Sequence, residues 1–316
     1  MAARRRCEDD VLRFGLIWLS RQEWAERGAR TAGVERLLVR RFVAGDTRGD
    51  ALAAARQLSI VLPGTTAMFS LVGEAVTDPA EADQAVAEYC ALAAAIGASP
   101  RLDARVAVKP TLLGLDISQQ TAERGLLSIV ESAAERGVWV ELDMEASNTV
   151  DATLELYRAA AEKSERTGVA LQAYLRRTPE DAQALIDDGI ARVRLVKGAY
   201  SESGRIAHSG TDAIRRAYIE LLEQLWRAGA DLGVATHDPL LHQAAQRLAR
   251  GSPTGSRWEF QMLYGVRTEM GAAIRERQER LRVSIPYGER WYPYLMRRIA
   301  ERPANAWFAL RAALGQ

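Results

Sequence analysis

The chain has 316 residues, of which 48% are hydrophobic and 26% are charged, as is typical of a globular protein. Its 42 basic and 41 acidic residues leave a formal charge of +1, so charge gives no reason to expect nucleic acid as a partner. No run approaches the ~18 apolar residues that a membrane-spanning helix needs. Cys7 and Cys90 show no metal-binding spacing and favour a reducing compartment.

We therefore expect a cytoplasmic protein. The Trp and Arg residues near the start of the chain also suit peripheral contact with the inner face of a membrane. Residues 8 to about 58 are predicted to be mostly helical, because apolar residues cluster densely within 11–19 and 37–43. We assign residues 1–68 to an N-terminal helical arm.

From about residue 69, short apolar segments alternate with amphipathic helical segments. The eight strand candidates are 69–73, 105–109, 138–142, 168–174, 191–196, 232–236, 258–263 and 281–285. Helical segments between them include 79–96, 118–136, 150–167, 179–188 and 211–228. This order, with a last helix after the eighth strand, predicts an α/β fold: a (β/α)8 TIM barrel over residues 69–316.

The last helix is predicted to follow a turn at Pro286–Gly288 and to end before Pro303. At 100° per residue, one face carries a phenol, two guanidinium groups and a carboxylate, from Tyr294, Arg297, Arg298 and Glu301. Paired arginines suit a planar carboxylate or phosphate. Spacing alone slightly favours a solvated face that the Arg297/Glu301 pair stabilises.

In such barrels the active site lies at the C-terminal ends of the strands. Each predicted strand carries a polar group near that end: Glu74, Lys109, Asp143, Gln172, Arg194, Thr236 with His237, Gln261 and Ser284. Lys109 is open to three interpretations: a Schiff-base nucleophile, a carboxylate clamp, or an ion-pair partner of Asp143. Strand alternation predicts that Glu141, Asp143 and Glu145 point to one side.

Three histidines without a His-x-His pair disfavour a metal site, and His237 is either a core histidine or a functional one. Arg194 ends a predicted strand, and Gly198-Ala199 after it would let the backbone approach a cofactor closely. The chain has no G-x-G-x-x-G fingerprint and no P-loop, so any nucleotide cofactor would be held by the barrel's own loops.

Seven motifs in the same order resemble those of the flavin-dependent proline dehydrogenase family, in its monofunctional form. They lie at 108–116, 142–145, 171–174, 194–200, 235–237, 260–263 and 291–303. The resemblance implies a distorted barrel whose last helix covers the site. It also implies oxidation of proline to pyrroline-5-carboxylate, with FAD taking a hydride from C5 at N5 and a membrane quinone as the usual electron acceptor.

The resemblance also implies roles for individual residues. Arg297 and Arg298 would clamp the substrate carboxylate with help from Lys109, and Leu263 and Tyr294 would border the ring. Asp143 would orient Lys109, Arg194 would lie near flavin N5, and Glu74 would pair with Arg297 as a gate. The matched flavin-contact positions are Met144, Gln172, Arg194, Val196, Lys197, Gly198, Ala199, Thr236, His237, Gln261, Arg298 and Glu301.

Two positions depart from the family pattern. Asp238 stands where Asn is common, which is expected to perturb cofactor contacts only slightly. Ser284 stands where proline-specific members usually have Tyr, a phenol that walls the C4 side of the substrate ring. Serine opens that space and adds a hydrogen-bonding group, as in the hydroxyproline-oxidising branch. We therefore expect trans-4-hydroxy-L-proline or another C4-substituted proline as a substrate, with a neutral replacement as the alternative.

Two other functions fit the same residues. The first is a barrel lyase or aldolase that uses Lys109 as a Schiff-base amine. The second is a non-catalytic amino-acid-binding relative that keeps the barrel without turnover. Intact Lys109 and Arg194, together with the arginine pair, argue against the second.

Overall fold

The computed structural model describes residues 40–189, 192–251 and 257–300, with Arg40, Pro293 and residues 297–300 described by backbone only. Eight strands form a closed barrel in sequence order. Every neighbouring pair is parallel, and β8 closes the barrel against β1. The strands are β1 Thr65–Leu71, β2 Ala104–Val108, β3 Trp139–Leu142, β4 Thr167–Gln172, β5 Arg192–Val196, β6 Asp231–Ala235, β7 Trp258–Leu263 and β8 Leu281–Tyr287.

Helices follow the strands on the outside of the barrel. They are α1 Arg48–Val61, α2 Pro79–Gly97, α3 Gln119–Ala134, α4 Val150–Lys163, α5 Thr178–Asp187, α6 Thr211–Arg227, α7 Pro239–Gly251, α8 Thr268–Glu276 and α9 Trp291–Ala300. Local sequence explains where several begin: Asp78 caps α2, whose first residue is proline, and the Ser118 side chain caps α3. The predicted α/β barrel is confirmed.

Two predicted boundaries near the barrel seam were wrong. The first strand begins at Thr65 rather than Phe69; its polar first residues concealed it, yet Thr66 and Ala67 pair with β8. The predicted arm of residues 1–68 therefore overlaps β1, and residues 1–39 lie outside the described chain. Pro286 and Tyr287 were predicted in a turn but extend β8. Proline is compatible with that position because its carbonyl still accepts a hydrogen bond, from the backbone N–H of Ala44 at 2.8 Å.

The segment before α1 is attached to this seam. Besides the Ala44 contact with Pro286, the Gly288 N–H donates to the Gly45 carbonyl at 2.9 Å. Gly265 packs against the same segment, because a Cβ placed on it would lie 1.7 Å from the Arg41 carbonyl oxygen. The residues just ahead of α1 are thus bound to the end of β8, where the chain turns into α9.

Buried charges fill much of the barrel interior. Glu141 Oε1 accepts from Arg105 at 2.7 Å and from Arg192 at 3.0 Å. Glu259 Oε1 accepts from Arg192 at 2.7 Å and from Arg282 at 2.8 Å. Each side chain of this interior ion network is less than 10% exposed. Charged residues at alternate strand positions therefore form part of the core, and each of the three arginines contacts at least one of the two carboxylates.

None of the helices in the described ranges combines the length and apolar character required to cross a membrane.

Candidate active site

Three charged side chains meet where β2, β3 and β5 approach the C-terminal face. Lys109 directly follows β2, Asp143 directly follows β3, and Arg194 is the third residue of β5. An Arg194 Nη2–H donates to Asp143 Oδ1 at 2.6 Å, and Lys109 Nζ lies 3.9 Å from Asp143 Oδ2. The structure thus brings together three of the residues that the sequence predicted to share a site.

Lys109 is fixed in place by groups at the end of β1. Its ammonium donates to the Leu71 carbonyl at 3.0 Å and to Ser70 Oγ at 3.2 Å. Its side chain is 13% exposed, so little water competes for these contacts. Two hydrogen bonds and a nearby carboxylate suit a positioned cation, which favours the clamp or ion-pair interpretation over a nucleophilic amine.

Arg194 also connects this site to the interior ion network. Its Nε lies 3.5 Å from Glu141 Oε2, yet within the described residues both atoms are buried without a hydrogen-bond partner. Burial opposes ionisation of Glu141, but Arg192, Arg194 and Arg105 outweigh it and hold its pKa well below the usual range. Glu141 is therefore a permanent counter-charge beneath Arg194.

The prediction that Glu141, Asp143 and Glu145 point to one side was wrong for Glu145. Strand β3 ends at Leu142, so the other two acids lie in the loop that follows. Glu141 and Asp143 both face Arg194, whereas Glu145 turns away and accepts hydrogen bonds from Thr111. The loop separates these carboxylates into two environments.

Two buried amides lie on β4 and β7. Gln261 donates from Nε2 to Glu259 at 3.0 Å, while its Oε1 has no hydrogen-bond partner in the described part of the chain. Gly233 makes room for Gln261, because a Cβ there would lie 2.6 Å from Nε2. Gln172 donates to the Glu145 carbonyl at 2.7 Å. An unsatisfied buried amide oxygen fits a ligand that offers an N–H group, as a flavin ring does.

The histidine at the end of β6 has a defined partner. Its Nε2 accepts a hydrogen bond from the backbone N–H of Leu263 at 3.1 Å, which ties the β6 and β7 loops together. His237 is half-buried. This contact fixes the position of the His237 ring beside the end of β7.

Asp238 organises a second group of charges. It accepts from Lys197 at 2.6 Å and from Arg215 at 2.8 Å, and its other oxygen accepts from the Leu240 N–H at the start of α7. Burial opposes its ionisation, but these hydrogen bonds outweigh burial and lower the pKa of Asp238 to about 2. Asparagine could not balance both cations, so the carboxylate at this position has a structural role. Its expected slight effect on cofactor contacts stays a prediction.

The glycine after β5 approaches an aromatic ring of the neighbouring loop, and its predicted approach to a cofactor stays a prediction. Gly198 has φ +116, and a Cβ there would lie 2.1 Å from the Tyr174 ring. The Tyr174 hydroxyl in turn donates to the Tyr200 carbonyl at 3.2 Å. In the described chain, the close approach that glycine permits is therefore to Tyr174, which holds the β5–α6 loop against the β4 loop.

The remaining predicted residues differ in exposure and in how far the structure describes them. Met144 and Thr236 are buried, Glu74, Val196, Leu263, Ser284 and Tyr294 are half-buried, and Ala199 is exposed. Arg297 and Arg298 lie in α9 but are described by backbone only, and Glu301 lies outside the described residues. Within the described ranges, no group of three or more His, Cys, Asp or Glu side chains could hold a metal ion.

Sequence reasoning did not identify Thr111 or the function of Glu145. Thr111 donates to Glu145 through both its N–H and its hydroxyl, at 2.9 and 2.7 Å. The available signal was local: Thr111 is two residues after Lys109, and Glu145 is two residues after Asp143. Each lies beside a candidate site residue on a neighbouring strand end.

Comparisons with known proteins are consistent with this geometry. A family model described as proline dehydrogenase matches residues 53–311. "Proline dehydrogenase 1" of Bacillus subtilis (strain 168) is 38% identical over 308 residues, which cover 96% of this chain and 99% of that protein. "Proline dehydrogenase" of Deinococcus radiodurans is 34% identical over 283 residues, covering 88% and 90%.

Solved structures extend the likeness to the fold. The crystal structure of proline utilization A (PutA) from Bdellovibrio bacteriovorus, inactivated by N-propargylglycine, superposes with a TM-score of 0.80 at 23% identity. The match covers 94% of this chain and 37% of that one. This chain thus spans little more than a third of the PutA length, and at such identity the match shows a shared barrel fold.

Proposed function

The chain belongs to the proline dehydrogenase family, and we propose that it oxidises L-proline or a C4-substituted proline to the corresponding 1-pyrroline-5-carboxylate. The C4-substituted substrate we have in mind is trans-4-hydroxy-L-proline. The observation that carries this proposal is the convergence of Lys109, Asp143 and Arg194 at the C-terminal face. Two fixed cations around one carboxylate suit a small amino-acid substrate beside a cofactor that gains negative charge.

We propose FAD as the cofactor, held by the loops after β3 to β7 and by the last helix. Its contact residues would be Met144, Gln172, Arg194, Val196, Lys197, Gly198, Ala199, Thr236, His237, Gln261, Arg298 and Glu301. The unpartnered Oε1 of Gln261 and Nε of Arg194 support this choice, because a flavin offers both donors and acceptors. Bound FAD would supply the two-electron oxidation by accepting a hydride from substrate C5 at its N5.

The chain's own residues would bind and orient the substrate. Lys109, held by β1, would donate to the substrate carboxylate together with Arg297 and Arg298. Asp143 would keep Lys109 and Arg194 in their relative positions, and Arg194 would place positive charge where negative charge develops. Leu263 and Tyr294 would border the ring, and Glu74 would pair with Arg297 to close the site.

Ser284 is the basis for including a C4-substituted substrate. It lies in the middle of β8, beside Met68 of β1 and Leu263 of β7. Its side chain makes no hydrogen bond within the described residues, and its carbonyl accepts from the Tyr264 N–H at 2.9 Å. A small side chain between two larger apolar ones leaves room and a free hydroxyl for a ring substituent.

Two substitutions of Ser284 distinguish the effect of the space beside the substrate ring from the effect of a hydrogen bond to the Ser284 hydroxyl. Ser284→Tyr is expected to lower kcat/KM for trans-4-hydroxy-L-proline at least ~10-fold while changing the value for proline less than about 3-fold. The control Ser284→Ala keeps the space and removes the hydroxyl, so it reports any hydrogen bond to the substrate. Equal losses for both substrates with Tyr would contradict a role for Ser284 in specificity.

A visible spectrum and an anaerobic titration test the function itself. The purified protein should show flavin absorbance that bleaches on addition of proline or hydroxyproline. A Schiff-base lyase would instead be colourless and trapped on Lys109 by borohydride, and a non-catalytic relative would bind the amino acid without bleaching. For the second half-reaction we propose a quinone acceptor at a membrane surface, which predicts that a soluble quinone analogue reoxidises the bleached protein.

A further inference from the structure

A buried carboxylate lies behind the charged site and has no role in the steps above. The Glu145 residue is 3% exposed, and both of its oxygens accept hydrogen bonds from one residue. The Thr111 N–H donates to Oε2 at 2.9 Å, and the Thr111 hydroxyl donates to Oε1 at 2.7 Å. A two-point contact of this kind fixes Thr111 in both position and rotation.

Thr111 in turn holds the loop after β1. Its hydroxyl oxygen accepts from the Ala75 N–H at 3.0 Å, and its carbonyl accepts from the Val76 N–H at 3.1 Å. Ala75 has φ 56, in the left-handed region that non-glycine residues rarely adopt. This conformation needs external restraint, and the described contacts place that restraint in Thr111. Glu74 immediately precedes the restrained residue.

The same residue is linked to Lys109. Thr111 lies in the 3-10 turn Pro110–Leu113, whose first hydrogen bond runs from the Leu112 N–H to the Lys109 carbonyl at 3.1 Å. A chain of hydrogen bonds therefore runs from the Ala75 N–H through the Thr111 hydroxyl to Glu145. Glu74 precedes Ala75 in sequence, and Lys109 is joined to Thr111 through the 3-10 turn. Each bond in such a chain polarises the next and strengthens it.

We propose that Glu145 is a positioning residue that sets the placement of Glu74 and Lys109 against the substrate by holding Thr111 at two points. This inference rests on the substrate site proposed above. It depends on an ionised carboxylate, because that form offers a strong acceptor to both Thr111 donors, whereas protonation turns one of the two oxygens into a donor. In Glu145→Gln, an NH₂ group replaces one acceptor and faces a donor.

Ionisation of Glu145 makes its hydrogen bonds to Thr111 depend on pH. Burial raises the pKa of Glu145 to about 7, and the charge of Glu74 adds to this, while the Thr111 donors and Lys109 oppose it. Tyr89 of α2 also faces the group, since Glu145 contributes to raising its pKa. As pH falls through about 7, Glu145 gains a proton and Thr111 loses one acceptor. The restraint on Glu74 and Lys109 is then weakened.

Two variants test the link from opposite ends. Glu145→Gln and Thr111→Val are each expected to raise KM for the better substrate about 10-fold, with kcat changed less than about 3-fold and flavin content unchanged. Thr111→Ser, which keeps the hydroxyl, should restore KM. The double variant should be no worse than either single one, since both break the same chain. Thr153→Val, which removes a buried hydroxyl that donates to Thr149 in α4, is the matched control and should leave KM unchanged.

The pH profile separates positioning from general loss of packing. The ratio of KM for Glu145→Gln to KM for the unaltered protein should fall towards one as pH decreases below about 7, because the unaltered protein then also lacks the carboxylate. Other ionisations cancel in this ratio. A ratio that stays constant with pH, additive effects in the double variant, or a loss confined to kcat would overturn the proposal.

Hydrogen exchange gives a readout that needs no turnover. Both variants should speed amide exchange in the peptide that contains Ala75 and Val76, whereas Thr153→Val should not. Faster exchange there in a protein that no amino acid bleaches would refute the proposed function while supporting the hydrogen-bond chain. Turnover of proline with unchanged exchange and unchanged KM in both variants would refute the chain and leave the function intact.

Discussion

Removal of one buried charge in the barrel interior should measurably destabilise the fold. Glu259→Gln keeps the shape of the side chain and removes its charge. The carboxylate accepts through Oε1 from Arg192 at 2.7 Å, Arg282 at 2.8 Å and Gln261 at 3.0 Å. The variant would leave two buried guanidinium groups short of a counter-charge.

Two separate arguments give the same magnitude for the loss in the free energy of unfolding. Breaking one side of a buried ion pair typically costs about 3–5 kcal/mol. Independently, burial opposes ionisation of Glu259, but the surrounding arginines outweigh it and lower its pKa from 4.5 to about 2. A shift of about 2.5 units corresponds to roughly 3 kcal/mol at about 1.4 kcal/mol per unit. We therefore expect the free energy of unfolding to fall by about 3 kcal/mol at pH 7.

Urea unfolding followed by far-UV circular dichroism measures this difference. Because the folded pKa of Glu259 is depressed, its contribution is complete above the unfolded pKa and is lost as pH falls from about 4.5 through about 2. The gap between the two proteins should accordingly narrow by roughly 1 kcal/mol between pH 7 and pH 4.

An exposed ion pair provides the control. Glu223 accepts from Arg227 at 2.7 Å on α6, with side chains 38% and 74% exposed. Glu223→Gln should cost less than about 0.5 kcal/mol. If Glu259→Gln unfolds at the same urea concentration as Glu223→Gln, the interior ion network does not hold the barrel together in the way described. A gap that widens at low pH would refute the assigned direction of the pKa shift.

Two further substitutions test local features. Asp238→Asn should lower the free energy of unfolding by about 1–2 kcal/mol, because an amide cannot balance both of its cationic partners. Fluorescence titration of the apoprotein should show that its flavin affinity changes by less than about 3-fold. A larger change in affinity would mean that Asp238 orders the cofactor loops. Gly265→Ala should lower the free energy of unfolding more than Gly229→Ala does, although both glycines have positive φ, because only the Cβ at position 265 would meet the Arg41 carbonyl. If urea unfolding shows that both variants lose about 1 kcal/mol, only backbone strain matters at these positions.

The sequence predicted the barrel because its apolar strands and amphipathic helices alternate with regular spacing. That pattern reports apolar residues that become buried, so the prediction failed where a strand includes residues that are not apolar. Thr65 and Thr66 begin β1 without an apolar pattern. Pro286, a residue normally associated with a turn, continues β8, and its carbonyl accepts a hydrogen bond from the Ala44 N–H.

The candidate site was only partly predictable. Lys109, Asp143 and Arg194 could be identified because strand ends converge in a barrel. The Thr111–Glu145 contact could not, since the side of a loop to which a side chain turns depends on backbone angles after the strand. The same holds for the partners of Asp238: Arg215 lies in a predicted helix of the barrel, but helical periodicity does not show which of its side chains reaches the next strand end.

The attachment of the segment ahead of α1 to the end of β8 has a mechanical consequence. In a closed barrel the first and last strands are neighbours, and two backbone hydrogen bonds, from Ala44 to Pro286 and from Gly288 to Gly45, also join the segment ahead of α1 to the residues that lead into α9. A displacement of Ala44 and Gly45 would therefore be transmitted directly to the turn at Gly288, which precedes the helix that carries the paired arginines.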